Sequence, residues 1–129
     1  MKEEDITFLK HILENISLIE KSTKSMANMG ELEDDKDILD ATLRRIEVIG
    51  AVKNLSDDLR IKYPGIEWKK ITGARDIIIH AYFRVDIDVV WDIVKDKIPK
   101  LKKAVEGILN DINSEKKEQE KTKGESKKK

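Results

Sequence analysis

The sequence predicts an all-α fold, an antiparallel up-and-down four-helix bundle with room for an extra short helix. Apolar residues recur at the i, i+3, i+4, i+7 spacing of a helix along most of the 129-residue chain. The connections between these periodic segments are short, which favours antiparallel neighbours. Because 40% of the residues are charged and 39% are hydrophobic, the chain supports one core only if its apolar residues are strictly patterned.

Two long helices are expected in the first half of the chain. The first is predicted from about Asp5 to Met26, and its apolar residues share one face: Leu9, Ile12, Leu13, Ile16 and Ile19. The stretch "NMGELEDD" then interrupts the pattern. The second helix is predicted to begin near Asp34 or Asp35, either of which suits an N-cap, and to continue to the "YPG" at 63–65.

A shorter third helix and a long fourth helix are expected in the second half. The third is predicted to carry Trp68 and to end near His80 to Arg84. Asp86 or Asp88 suits the N-cap of the fourth helix. Pro99 should kink or restart that helix, because proline lacks a backbone N–H donor. The buried stripe of the fourth helix is predicted to comprise Val90, Ile93, Val94, Ile98, Leu101, Val105, Ile108 and Ile112.

The bundle is expected to occupy residues 1–112 and a charged tail residues 113–129. The tail has seven lysines, four glutamates and no apolar residue, so burial cannot offset the entropy of ordering it. We expect it to be disordered and to act as a solubilising extension, with a weak electrostatic tether to RNA as the alternative. The bundle carries a net charge of −3, so any phosphate recognition requires a local basic patch.

The composition also argues against several classes of protein. The chain has no cysteine, which rules out disulfides, zinc-thiolate sites and a catalytic thiol. Its start lacks the apolar run of a signal peptide, and no stretch approaches the ~20 apolar residues of a membrane span. We therefore expect a cytoplasmic protein that does not bind membranes. The acidic stretch at 33–37 fits no metal-binding loop and is typical of a helix N-terminus, so neither a metal nor a cofactor is expected.

The stretch "ARDIIIHAYFRVD", residues 74–86, places three polar side chains in an apolar segment. Arg75 offers a charged fork that binds phosphate, His80 transfers protons near neutral pH, and Tyr82 carries a phenol. Cleavage of RNA without a metal needs a base for the 2′-hydroxyl proton and a cation for the phosphoryl oxygens. Taken alone, these residues favour structural roles, with Tyr82 packed against the fourth helix and His80 capping the third.

The segment "RDIIIHAY" resembles the R-x4-H-x-Y motif of the HepT-like proteins in the HEPN superfamily. Asp76 directly after the arginine fits this pattern, as do the tryptophan upstream and the "VVW" and "IPKLKK" downstream. The specific part of the resemblance covers residues 68–103. It implies an all-helical, dimeric, metal-independent ribonuclease, the toxin of a type VII HEPN/MNT toxin–antitoxin system. It also implies that Arg75 and His80 form the catalytic site, with Asp76 in support.

The resemblance further implies a protein partner. The antitoxin of such systems is a minimal nucleotidyltransferase called MntA, which would adenylylate Tyr82 from ATP. The added AMP would place bulk and negative charge beside the site and so exclude RNA. The alternative hypothesis is a non-catalytic helical protein that serves as the binding subunit of a nucleotidyltransferase, with Tyr82 as a contact.

Helix geometry limits how the motif can act. At ~100° per residue, Arg75 and His80 differ by ~140° around one helix, whereas Arg75 and Tyr82 differ by only ~20°. An unbroken helix would therefore not direct Arg75 and His80 at one phosphate. Either the helix ends around His80 and the chain turns, or a dimer joins two motifs across a two-fold axis. We expect both, with a composite cleft lined by these three residues from each subunit.

Local positive charge is also available near the motif. Three basic residues are predicted to contact RNA phosphates, with ordinary solvated surface charges as the alternative interpretation: Lys69, Lys70 and Arg84.

Overall fold

The computed structural model describes the backbone of residues 2–81 and 86–127 and the side chains of residues 2–80 and 86–117. Over these ranges the regular elements are all helical, which confirms the predicted all-α bundle. The helices, in chain order, are α1 (Glu3–Thr23), α2 (Met29–Asp34), α3 (Lys36–Ile49), α4 (Asp57–Lys62), α5 (Trp68–Ala81), α6 (Ile87–Asp92) and α7 (Ile98–Lys127). A 3-10 turn (Val52–Asn54) precedes α4, and a π-helical segment (Ile93–Lys97) joins α6 to α7.

Helix α1 packs against α3 and α7 and forms one wall of the core. Its first turn carries Glu3, Glu4 and Asp5, whose charges suit the positive end of the helix dipole. The predicted apolar face is confirmed, because the residues at the core are fully buried: Leu9, Ile12, Ile16 and Ile19.

The prediction of one continuous second helix is wrong. Helix α3 ends at Ile49, and α4 begins only after Ser56, whose hydroxyl accepts a hydrogen bond from the Leu59 amide at 3.3 Å. Buried Asp5 in turn accepts hydrogen bonds from the Ser56 amide at 2.8 Å and from its hydroxyl at 2.6 Å. The break is therefore stabilised by a contact from α1, which local sequence patterns do not reveal.

The short helix α2 lies where only an interruption was expected. Asn28 caps it by accepting a hydrogen bond from the Glu31 amide at 3.2 Å, and Leu32 is fully buried. A single buried leucine within six residues is too short a pattern to predict a helix.

The second half of the fold follows the prediction closely. Helix α5 ends at Ala81, inside the expected interval, and the side chain of Asp86 caps α6. The disturbance expected at Pro99 takes the form of the π-helical segment just before it. Proline cannot donate to the carbonyl one turn back, and a π turn accommodates the missing hydrogen bond.

The core lies along the axis of the bundle and is almost entirely aliphatic. After α1, its buried members are Leu32, Leu43, Ile46, Ile49, Val52, Leu55, Leu59, Ile78, Val90, Val94, Ile98, Leu101, Val105, Ile108 and Ile112. Among the helices that the structure describes, none is both long and apolar enough to cross a membrane.

Helix α7 continues past the core. It remains helical to Lys127, although Ile112 is its last buried residue among those with described side chains. The stretch from Asn113 is rich in lysine and glutamate, which are good helix formers even without burial. Its backbone is thus helical where a disordered tail was expected, and the division into a bundle at 1–112 and a tail at 113–129 stays a prediction.

Candidate active site on helix α5

Helix α5 carries the motif, and contacts near its start and near its end hold it against the rest of the bundle. Its first residue, Trp68, donates a hydrogen bond from Nε1 to the carbonyl of Tyr63 at 3.2 Å, just before the proline that ends the preceding segment. Further along, Ile78 is only 4% exposed and belongs to the core. The helix packs against α3 and the 3-10 turn, and its Asp76, Ile77 and His80 side chains are exposed.

Arg75 points from α5 toward the end of α3. Its Nε donates a hydrogen bond to the carbonyl of Glu47 at 3.1 Å. Glu47 lies in the last turn of α3, where carbonyls lack partners within the helix and carry the negative end of its dipole. Arg75 therefore caps α3. Over the residues with described side chains, this is its one hydrogen bond.

His80 and Asp76 lie on the outward face of the same helix, and both side chains are exposed. They are four residues apart, which places them next to each other on the helix surface. Within the described part of the chain His80 makes no hydrogen bond, so the capping role considered for it is not seen there. An exposed imidazole beside a carboxylate suits proton transfer to a bound molecule.

The structure does not bring Arg75 and His80 together within one chain. Helix α5 is continuous through both residues, so they keep the ~140° separation of an unbroken helix. No hydrogen bond joins them among the contacts of the described residues. A site that uses both side chains on one phosphate needs a second chain or a different conformation.

The remaining predicted site residues are divided between exposed positions and undescribed ones. Lys69 and Lys70 are exposed near the start of α5, and the ammonium of Lys70 lies 3.1 Å from the carboxylate of Glu67. Tyr82 and Arg84 lie outside the described residues. The expected phosphate contacts therefore stay predictions, and for Lys70 part of the positive charge is already paired.

An apolar cleft of about 620 Å³ opens beside α5, between α3 and the α6–α7 region. Ile77 and Val89 line it and are 50% and 40% exposed. Lysines stand among the lining residues: Lys70, Lys97 and Lys100. Exposed apolar residues grouped beside a cleft are typical of a surface that another molecule covers.

Tyr63 and Asp96 have shifted pKa values. Burial raises the pKa of Tyr63, and its hydrogen bond to the carboxylate of Asp111 at 3.1 Å acts in the same direction. Hydrogen bonds from Lys100 and Lys97 lower the pKa of Asp96.

In the described part of the chain, no group of three or more acidic or histidine side chains is arranged to hold a metal ion.

Sequence reasoning missed both partners that hold Arg75 in place. One is the Glu47 carbonyl, a backbone atom that every residue type would supply. The other is Gly50, just beyond the end of α3, where an added Cβ would lie 2.4 Å from the Cβ of Arg75. A glycine after an apolar helical stretch is a signal for a helix end, and this signal was available in the sequence.

Comparison with known proteins gives consistent matches. Residues 12–108 match the family described as "Ribonuclease HepT-like". A Methanocaldococcus jannaschii protein named "Gamma-glutamylcyclotransferase and putative RNase" is 43% identical over 90% of this chain, which spans only 52% of that relative. A "Putative RNase" from the same organism is 42% identical over 89% of this chain and 96% of its own length. A Thermococcus cleftensis protein named "Probable ribonuclease HepT" is 41% identical over 79% of this chain and 93% of its own length. No solved structure matches significantly.

Proposed function

Because the chain belongs to the HepT-like ribonuclease family, we propose that it is a metal-independent endoribonuclease whose catalytic residues are Arg75 and His80. The observation that carries this proposal is the arrangement on α5, where an exposed His80 lies about one and a half turns from an arginine whose Nε is held by the Glu47 carbonyl. The names of relatives support RNA as the substrate class. Neither the residue types of the motif nor the fold would by itself be enough to assign this activity.

The reaction uses these two side chains in separate roles. His80 takes the proton from a 2′-hydroxyl, and the resulting oxygen attacks the adjacent phosphorus as the bond from phosphorus to the 5′-oxygen breaks. The leaving 5′-oxygen takes a proton from solvent water, and the His80 imidazolium then returns its proton to solvent. The Nη groups of Arg75 donate to the phosphoryl oxygens as negative charge grows on them. The products are a 2′,3′-cyclic phosphate and a 5′-hydroxyl. Asp76, adjacent to His80 on the helix surface, supports the imidazole in this scheme.

The site is completed by a second copy of the chain. Since α5 separates Arg75 and His80 by ~140°, a two-fold axis beside the helix is the simplest way to face one subunit's arginine with the other's histidine. Exposed Ile77 and Val89, with the apolar cleft that they line, supply the surface that such a homodimer would bury. In the dimer, three basic residues are proposed to contact RNA phosphates along the shared groove: Lys69, Lys70 and Arg84.

The biological role proposed is that of the toxin in a type VII HEPN/MNT system, acting in the cytoplasm. A cognate MntA-like nucleotidyltransferase would neutralise it by adenylylating Tyr82. The support is the motif itself, in which the tyrosine follows His80 by two residues. A negatively charged nucleotide two residues from His80 would repel the RNA backbone.

A second candidate function has one observation in its favour. The hydrogen bond between Arg75 and the Glu47 carbonyl gives the arginine a structural role that needs no substrate. In this alternative the bundle is the non-catalytic binding subunit of a nucleotidyltransferase. It predicts complex formation that survives loss of His80, with no cleavage by the free protein.

RNA cleavage in the presence of EDTA separates the two candidates. The purified protein should cleave single-stranded RNA and leave cyclic-phosphate ends. If it cleaves no RNA yet forms a stable complex with a minimal nucleotidyltransferase, the second candidate replaces the first.

Intact-mass spectrometry after co-expression with that transferase tests the modification. Mass increments of whole AMP units should appear on the unaltered protein and on Tyr63→Phe, and should be absent from Tyr82→Phe. Increments that persist in Tyr82→Phe would show that another residue is modified.

A further inference from the structure

Gly50 is in contact with the backbone end of the Arg75 side chain. The glycine is buried directly after α3, and its amide donates a hydrogen bond to the carbonyl of Ile46 at 2.9 Å. A Cβ added here would lie 2.4 Å from the Cβ of Arg75 and 3.2 Å from its Cγ and Cδ. Atoms that close cannot coexist, so α5 approaches α3 within a distance that only glycine allows.

The conformation of Gly50 does not itself require glycine. Its φ of −74° and ψ of −6° are accessible to every L-residue. Alanine would also lose less conformational entropy on folding than glycine does. The steric need therefore comes from the approach of Arg75, and it concerns Cβ, which a change of side-chain rotamer cannot move away.

This contact and the Glu47 hydrogen bond act on the same side chain. Cβ against Gly50 sets how close Arg75 lies to α3, and Nε bound to the Glu47 carbonyl sets the plane of the guanidinium. Because that plane is rigid, fixing Nε also fixes the directions of the Nη donors. We propose that Gly50 is a positioning residue, which aims the Nη groups of Arg75 at the scissile phosphate. The inference rests on the proposed ribonuclease function for its catalytic consequence.

Gly50→Ala tests the inference, with Gly107→Ala as the matched control. Gly107 lies on α7, and a Cβ added there meets nothing within 4 Å. Since a misplacement of about 1 Å can cost about 100-fold in rate, Gly50→Ala should lower kcat by about that factor and leave KM nearly unchanged. Gly107→Ala should cleave RNA like the unaltered protein. Equal rates for all three proteins would overturn the inference.

A double-variant experiment separates positioning from general disruption. Arg75→Ala removes the guanidinium but keeps Cβ, so the Cβ–Cβ clash that Gly50→Ala introduces is the same in both backgrounds. If Gly50 acts through the guanidinium, adding Gly50→Ala to Arg75→Ala should change the residual rate by less than about twofold. A further large loss in that background would show that the glycine acts on the fold and not on the arginine.

A measurement on the unaltered protein tests the anchoring of Arg75 without depending on RNA cleavage. The NMR signal of the Arg75 Nε–H, assigned by its loss in Arg75→Lys, should exchange slowly with solvent. A non-cleavable 2′-deoxy oligonucleotide should shift the Nη signals and leave Nε protected. Rapid exchange, or displacement of the Nε bond by the oligonucleotide, would overturn the inference. If the protein cleaves no RNA at all, the proposed function fails, and slow Nε exchange that is lost in Gly50→Ala still establishes the anchoring.

Discussion

The guanidinium of Arg75 joins α5 to the end of α3 through the 3.1 Å hydrogen bond from Nε to the Glu47 carbonyl. The same side chain is thus both a helix cap and the proposed phosphate ligand. Lysine carries all its donors on a single nitrogen, so it cannot place donors at both the Nε and the Nη positions of arginine.

Arg75→Lys should keep the charge and lose the function. We expect RNA cleavage to fall by about 100-fold or more, as for loss of one donor to a transition state. The free energy of unfolding should fall by about 1 kcal/mol, the usual net value of a hydrogen bond. Arg45→Lys is the matched control, because Arg45 also donates to a backbone carbonyl, that of Leu18 at 3.5 Å. A full cleavage rate in Arg75→Lys would contradict the catalytic role.

His80→Ala should abolish cleavage without disturbing the fold. The side chain is exposed and lies in the last turn of α5, so its removal leaves no cavity. Loss of a general base is expected to lower the rate by about 100-fold to 10,000-fold. His11→Ala, at an exposed position on α1, serves as the control and should cleave normally. Cleavage assays and thermal unfolding on the same samples check both statements.

Ile77→Glu should weaken the proposed dimer. Ile77 is 50% exposed and lines the apolar cleft, and a carboxylate left unpaired in an interface costs about 2–5 kcal/mol. We expect dissociation and a parallel loss of cleavage, because the composite site is lost. Ile61→Glu is the control, since Ile61 on α4 is 75% exposed and does not line the cleft. A dimer that tolerates Ile77→Glu would place the interface elsewhere.

Asp5→Ala should destabilise the protein although it lies far from the motif in sequence. Buried Asp5 accepts two hydrogen bonds from Ser56, at 2.8 and 2.6 Å. Leaving those donors unsatisfied should lower the free energy of unfolding by about 2–3 kcal/mol. Glu4→Ala removes an exposed charge from the same first turn and controls for the helix dipole. Chemical denaturation of both variants measures the difference.

The parts of the fold that the sequence predicts are those set by local patterns. The face of α1 and the cap at Asp86 follow from spacing and residue type. The break after Ile49 does not, because Val52, Leu55 and Leu59 continue the apolar pattern and are all buried. That break depends on Asp5, 51 residues from Ser56 in sequence, and only the folded chain brings the two together.

The same distinction between local patterns and long-range contacts applies to the candidate site. The motif on α5 predicts Arg75, His80 and Asp76 as site residues by type and spacing, and their roles stay predictions. The anchor of Arg75 escapes prediction because a backbone carbonyl has no residue signature. The steric need for Gly50 escapes it because the contact joins two helices.

The polar end of α7 affects how the size of the molecule is measured. The 15 residues after Ile112 extend as a helix of about 22 Å, with no core to pack against among the residues whose side chains are described. A rod attached to a bundle raises the friction of the particle in solution. A monomer therefore elutes from a gel-filtration column earlier than a compact protein of the same mass. The monomer and dimer are therefore distinguished by light scattering or sedimentation equilibrium, both of which report mass independently of hydrodynamic radius.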